Sequence, residues 1–367
     1  MSITPILQFG TSRFLQAHAD LFISEALDSN SAMGPITVVQ SSGNAERARR
    51  LAALADPDGY TVRVEGLVDG VAVQQESRVT SVRRALSTEK DWEEIKRIFV
   101  EEVEVVLSNT GDQGYLSAPA DEVRTYNQSM SFPAKLTLLL HARFAARRGG
   151  LQVMPTELIA ENGRVLREHV LRVARHYSSE FADWVSTQVL FVNSLVDRIV
   201  SEPIEPAGAV AEPYALWAIE DAPGLRVPCS HPCVQVVEDL SAIERRKLYI
   251  LNLGHTYLVA RWLRDGRRQI YVKDMMSDPV MRDDLEVLYR EEVLPVFVAA
   301  GDNDAVPYVA TTLDRFANPF LAHKLSDIAQ SHEQKLERRL RAFVDWGKAL
   351  GVDLVQPRLL QALNPTV

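Results

Sequence analysis

The first twenty residues leave the chain few ways to fold. A short apolar run, Ile3-Thr-Pro-Ile-Leu-Gln-Phe9, stops at Gly10, and a helical pattern of apolar residues follows through Phe22. A strand, a glycine turn and a helix open a dinucleotide-binding βαβ unit. Glycine permits the turn, and the new helix presents unpaired N–H groups to a pyrophosphate. The glycine fingerprint is incomplete, with Ser12 where a second glycine is usual and Phe14 inside the helix. The expected fold class is therefore α/β, with a Rossmann-type N-terminal domain.

The following segments continue that alternation. Ile36–Gln40 is a second strand, ending in Ser41-Ser-Gly where an NAD-binding fold often places an acidic residue for the ribose hydroxyls. Arg47, Arg49 and Arg50 lie just downstream. Either the pocket accepts NADP as well as NAD, or these arginines are the solvated face of the next helix. Tyr60–Glu65 and Gly70–Gln75 alternate as a hairpin. Thr88–Glu102 reads as an acidic helix, and Val103–Leu107 as a strand running into Ser108-Asn109-Thr110-Gly111. Small polar residues at the carboxyl end of a parallel strand are where open α/β sheets bind ligands. Phe132-Pro-Ala-Lys starts another helix with Pro in its first turn, Leu151–Pro155 is a strand, and residues 189–200 read as one strand with a buried polar cluster. Tyr214–Asp221 is a strand ending in two carboxylates, Glu220 and Asp221. From about Glu238 the pattern turns helical, with segments over Met281–Ala299 and Pro319–Leu350, the charges of the last forming a solvated face. The expected domains are residues 1–237, Rossmann-type, and 238–367, helical.

A net charge of −9 argues against a nucleic-acid partner but leaves room for a local basic pocket. No apolar run reaches membrane-spanning length and the N-terminus lacks a basic-then-apolar signal, so no membrane association and a cytoplasmic location are expected. Cys229, His231 and Cys233 offer three metal-ligand types in five residues, but no second ligand pair accompanies them. Free thiols are the expectation, and no metal.

The most informative chemistry lies in Lys247-Leu-Tyr-Ile-Leu-Asn252-Leu-Gly-His255. At about 100° per residue of an α-helix, Lys247, Asn252 and His255 fall within an arc of roughly 140°. An amine, an amide and an imidazole can then face one cleft, while Leu248, Ile250, Leu251, Leu253, Tyr257, Leu258 and Val259 bury the helix. Burial lowers a lysine pKa towards the range of a general base. The competing reading is a lysine extended along the helix start beside a core asparagine and histidine.

Several blocks together resemble the polyol-specific long-chain dehydrogenases, the mannitol dehydrogenase family. They are Phe9-Gly-Thr-Ser-Arg-Phe-Leu-Gln-Ala-His, Ser108-Asn-Thr, Phe132-Pro-Ala-Lys-Leu-Thr, Glu157-Leu-Ile with Asn162-Gly163, Leu195-Val-Asp-Arg-Ile, Lys247-x4-Asn252-x2-His255 and Arg315-Phe-Ala-Asn-Pro. Two of them, Glu157-Leu-Ile with Asn162-Gly163 and Phe132-Pro-Ala-Lys-Leu-Thr, are most similar to the hexuronate reductases of that family, tagaturonate reductase above all. The resemblance implies an active site in the cleft between the domains and a metal-independent NAD(P)-dependent oxidoreductase. It would interconvert a secondary alcohol of a small sugar acid or polyol and its ketone, in the manner of altronate/tagaturonate or mannonate/fructuronate. Lys247 would move the proton, Asn193 and Asn252 would donate to the alkoxide, His255 would position the substrate, and Asp221 or Glu220 would tune or drain the Lys247 proton. Arg315, with Asn318 and His323, would hold hydroxyls or a carboxylate. Gly10, Ser12, Phe14, Ser41, Ser108, Asn109 and Thr110 would line the dinucleotide, NAD with NADP not excluded. A neutral polyol or polyol phosphate is the alternative substrate, and a non-catalytic dinucleotide sensor the alternative class.

Overall fold

Six strands form one all-parallel sheet in the computed structural model, which describes residues 3–43 and 50–364. They are β1 (Ile6–Phe9), β2 (Ile36–Gln40), β5 (Val82–Ser87), β6 (Val105–Ser108), β7 (Gln152–Pro155) and β8 (Leu190–Phe191), in the order β5-β2-β1-β6-β7-β8. Strand order reverses on either side of β1, the arrangement of a doubly wound dinucleotide fold. β1, β2, β6 and β7 are buried along their whole length, which is why each reads as a near-continuous apolar run rather than an alternating one. Helices α1 (Arg13–Gln16), α2 (Ala19–Asp28), α3 (Trp92–Glu101), α4 (Phe132–Ala145), α5 (Asn162–Ala174) and α6 (Ser179–Gln188) accompany the sheet. Leu7, Phe9, Val106, Leu136, Val170 and Phe181 meet in its core.

The structure corrects the expected elements in four places. The first helix is broken in two, because the Ala17 carbonyl accepts Arg198 Nη1 at 2.6 Å and the His18 ring turns away to the Leu216 carbonyl. The helix expected from Thr88 begins at Trp92, since Asp91 accepts the Ser87 N–H and holds the preceding residues in a turn. Residues 189–200 are three strands in three sheets: β8, then β9 (Ser194–Asp197) and β10 (Val200–Pro203). Asn162 anchors the first bend, taking the Ser194 N–H and donating to the Ser194 carbonyl. Finally, Pro319–Leu350 is not one helix. Ser331 adopts a left-handed conformation (φ 54) between short helices at Leu325–Ile328 and His332–Lys335.

The hairpin β3 (Tyr60–Val68) and β4 (Val71–Val79) joins β10 and β11 (Gly208–Ala211) in a sheet of order β10-β11-β3-β4. β12 (Leu216–Glu220) lies antiparallel to β9 and parallel to β13 (Val234–Val237). The chain divides into two compact units. The first runs to Arg63 and includes Glu76–Ala211 and Ala215–Leu240; the second comprises Val64–Gln75, Glu212–Tyr214 and the chain from Ser241. The second unit thus takes the hairpin tip and a tripeptide as well as the C-terminal helices. It is bonded internally by Gly70 N–H to Asp314 and by Asn318 Nδ2 to the Glu65 carbonyl. Its core gathers Leu253, Leu258, Leu285, Leu288, Phe297, Leu340 and Phe343. No helix among the described residues is long and apolar enough to cross a membrane.

Candidate active site

At the carboxyl ends of β1 and β6, where strand order reverses, the first unit holds a cavity of about 1050 Å³. Gly10, with φ +125, ends β1, and a Cβ there would lie 2.6 Å from the Asn109 carbonyl oxygen. Any other residue would push the two strand ends apart. Ser12 Oγ accepts the Leu15 N–H and donates to Asn109 Oδ1, while Asn109 Nδ2 reaches the Thr156 carbonyl at 3.0 Å. The floor is fastened by Glu157, a buried carboxylate that accepts from Ser108 Oγ, Thr110 N–H, Thr110 Oγ1 and Tyr115 Oη. Burial, then the Glu157 charge, drives the Tyr115 hydroxyl pKa far up, so it stays a donor.

Of the residues expected at the dinucleotide, Gly10, Ser12, Ser41, Asn109 and Thr110 line this cavity. Two expected residues are not among its lining. Ser108 spends its hydroxyl on Glu157, and Phe14 stacks on His18 with centroids 4.7 Å apart. Lys135 is a lining residue that sequence reasoning passed over. Its Nζ donates to the Ser41 carbonyl at 2.8 Å, and burial lowers its pKa to about 8. The signal was its place one turn into a Pro-initiated helix, where a side chain can turn back over the helix start. Arg47 and Arg49 lie outside the described residues; Arg50 lines the cavity, and no carboxylate does so among the described residues. A neutral-to-cationic cavity against a backbone that excludes a Cβ fits a dinucleotide. Gly10, Ser12, Ser41 and Lys135 would hold it.

Asn193 follows β8 and is clamped on both sides of its amide. Nδ2 donates to Glu220 at 2.7 Å, and Oδ1 accepts the Arg164 N–H in the first turn of α5. An amide nitrogen carries two N–H donors, so one remains for a ligand. Of the two carboxylates ending β12, Glu220 makes the contact and Asp221 is exposed, with no side-chain hydrogen bond. Neighbouring strand residues point to opposite faces, so only one of the pair can reach Asn193.

In the second unit, Lys247–Asn252 is not α-helical but a π-helical turn, continuing directly into α7 (Leu253–Arg264). An i→i+5 turn brings residues five apart nearly into line, so Lys247 and Asn252 stand closer to one face than 100° steps imply. Tyr289 Oη donates to the Ile250 carbonyl within this turn at 2.9 Å, over Gly254, where a Cβ would fall 1.9 Å from that hydroxyl. Lys247 is half-buried rather than enclosed. The Asn252 amide makes no side-chain hydrogen bond among the described residues, and neither does the buried His255 ring, which packs against Phe316 and His323 at 4.3 and 4.9 Å. Burial first, then His323, Arg315, Arg339 and Lys335, hold the His255 pKa far down, so it is a neutral imidazole.

Arg315 departs from its expected role. Both faces of its guanidinium fork are taken by Glu212, at 2.9 and 2.8 Å, the two side chains almost fully buried, and the cation sits 4.4 Å over the Tyr214 ring. That edge of Arg315 is therefore not open to a ligand carboxylate. Asn318 caps its helix, with Oδ1 accepting the Phe320 N–H and Nδ2 donating to the Glu65 carbonyl. His323 does stand beside His255, with a buried Nδ1 that has no partner. His231 is engaged by Glu25 at 2.8 Å and by the Cys233 N–H, and no group of three metal-ligand side chains gathers among the described residues.

The chain matches the Mannitol dehydrogenase Rossmann domain over residues 4–227 and the Mannitol dehydrogenase C-terminal domain over residues 239–363. It is 32% identical to an altronate oxidoreductase of Bacillus subtilis (strain 168), over 91% of this chain and 73% of that protein. It is 31% identical to one from Yersinia enterocolitica, over the same shares. A D-sorbitol dehydrogenase superposes with a TM-score of 0.84 at 20% identity, covering 98% of this chain and 80% of the other. Pseudomonas fluorescens mannitol 2-dehydrogenase, solved with NAD and D-mannitol, gives 0.73 at 20% identity over 99% and 78%. These two share its fold. With both family domains matched in order and the altronate oxidoreductases aligned over most of its length, this chain belongs to the mannitol dehydrogenase family of oxidoreductases acting on CH–OH groups.

Proposed function

We propose that this protein is an NAD(H)-dependent reductase of a hexuronate-type keto acid, interconverting it with the corresponding secondary alcohol as altronate oxidoreductases do by name. The observation that carries the reading is the Lys247–His255 run. An amine, a free amide and a neutral imidazole project from one π-to-α helix, and the amide and imidazole have no partner among the described residues. A bound nicotinamide supplies the hydride acceptor or donor. Lys247 takes the hydroxyl proton in oxidation and returns it in reduction. Asn252 donates to the oxygen that becomes negative, and Asn193, fixed by Glu220, is retained as a second donor; each such bond is worth about 2.7–4 kcal/mol in the transition state. Neutral His255 orients a substrate hydroxyl through a ring nitrogen.

The test offers tagaturonate, fructuronate, fructose and fructose 6-phosphate with NADH and with NADPH, following reduced-nicotinamide absorbance. Turnover of a uronate with NADH is expected. Turnover of only the neutral or phosphorylated ketose would transfer the protein to the polyol branch. Lys247→Ala should lower kcat by about 10²–10⁴ while NADH affinity, read by fluorescence, holds. Near-normal turnover in that variant would end the Lys247 mechanism.

A further inference from the structure

Arg339 and Lys335 read from sequence as part of a solvated charged face, yet both turn inward. Arg339 Nη1 donates to the Asn252 carbonyl at 3.3 Å and to Thr256 Oγ1 at 3.1 Å, which seats its guanidinium against the π-helical turn of Lys247 and the first turn of α7. Those contacts use one nitrogen. Nε and Nη2 have no partner in the protein among the described residues, nor does any carboxylate pair with Arg339. Lys335 Nζ donates to the Ile328 carbonyl at 2.6 Å and has no acidic partner either.

Two further groups share this neighbourhood. His323, against His255, and His332, at the start of the helix that ends in Lys335, each bury an Nδ1 that bonds to nothing. Burial lowers the pKa of both rings, with Arg315 and Lys335 acting against Asp327 at His323, and Lys335 and Arg339 against Glu333 at His332. Burial, then the Arg339 charge, lowers the Lys335 pKa, and burial, then the Arg338 charge, lowers that of Arg339. Such a cluster is costly on its own. Partly buried cations are ordinarily paired, and an anion brought between them removes both the repulsion and the unfilled hydrogen bonds.

We propose that Arg339 and Lys335, with His323 beside them, form the seat for the carboxylate of the substrate, since the Nε–Nη2 edge of Arg315 is already taken by Glu212. The free edge of Arg339, Nε with Nη2, matches a carboxylate as a two-point donor. Its bond to the Asn252 carbonyl ties that seat to the residue proposed to meet the reacting oxygen. An acid end gripped there would place the substrate along α7 with its reacting carbon at a set distance from Lys247. The assignment rests on the sugar-acid reading only for the identity of the anion.

The test is binding to the protein in the presence of oxidised NAD, which cannot reduce a ketone, by calorimetry, with tagaturonate, its neutral counterpart tagatose, and fructose 6-phosphate. The wild type should bind the acid at least tenfold more tightly than the neutral sugar. Arg339→Gln should erase most of that ratio, Arg339→Lys should recover part of it, and Arg338→Gln, exposed and one residue away, should keep it. An unchanged ratio in Arg339→Gln, no preference for the acid in the wild type, or a preference for the phosphate ester would each overturn the proposal. An acid preference abolished by Arg339→Gln without any turnover of uronates would uphold the seat while sinking the proposed reaction.

Discussion

Arg315 and Arg339 belong to the same helical unit and both act on the charge of His255, but they are opposite in kind. Arg315 is enclosed, bidentate with Glu212 and capped by the Tyr214 ring. Arg339 is half-buried, held by one nitrogen to a carbonyl and a hydroxyl, and meets no carboxylate among the described residues. The first arginine ties the Glu212–Tyr214 segment to helix α8 (Ala305–Ala317). The second keeps its donors for something else. An arginine's availability is decided by its partner, not by its burial alone.

That contrast predicts different failures. Glu212→Ala leaves a buried guanidinium uncompensated and should cost about 3–5 kcal/mol of stability, read as a lowered urea midpoint. If it cost as little as a surface substitution, Arg315 would not be the structural member of the pair. A smaller effect with opposite sign comes from a buried charge that has no cation. Asp20, fully buried beside Tyr60 Oη, has its pKa raised by burial from 3.8 to about 7. The unfolded chain releases this proton first, so stability falls from about pH 4 to about pH 7, with the full loss above that. Asp20→Asn should therefore stabilise at pH 8 by up to about 4 kcal/mol and by little at pH 4. A stability difference independent of pH would refute the assignment. Smallest of all, Arg339→Gln should shift the urea midpoint by less than about 1 kcal/mol, because it leaves no charge stranded. A loss as large as that of Glu212→Ala would make Arg339 a structural residue as well.

How much of the site could be read from sequence depended on how local each determinant was. Gly10, Ser12, Asn109 and Thr110 were legible because a strand end and the turn after it are encoded by adjacent residues. Phe14 and Ser108 were placed at the cofactor by the same local logic, but a helix break at Ala17 and a distant carboxylate, Glu157, redirect them. Lys135 reaches Ser41 across 94 residues, and its place one turn into a Pro-initiated helix marks the side chain but not its partner. Asp221 and Glu220 are neighbours whose order on β12 decides which faces Asn193, and that depends on the pairing of β12 with β9.

The sequence by itself determined the parallel α/β class of the sheet, through apolar runs that only a doubly covered parallel sheet buries, and it determined the Lys247, Asn252 and His255 spacing on one helix. Tertiary structure decided the rest. It made the first turn of that helix π rather than α, with Tyr289 holding the Ile250 carbonyl from 39 residues away. It also gave Arg315 to Glu212 across 103 residues and turned Arg339 toward Asn252 across 87. Helix and strand follow from short-range periodicity, whereas the pairing of buried charges depends on which distant residues the fold brings within hydrogen-bond reach.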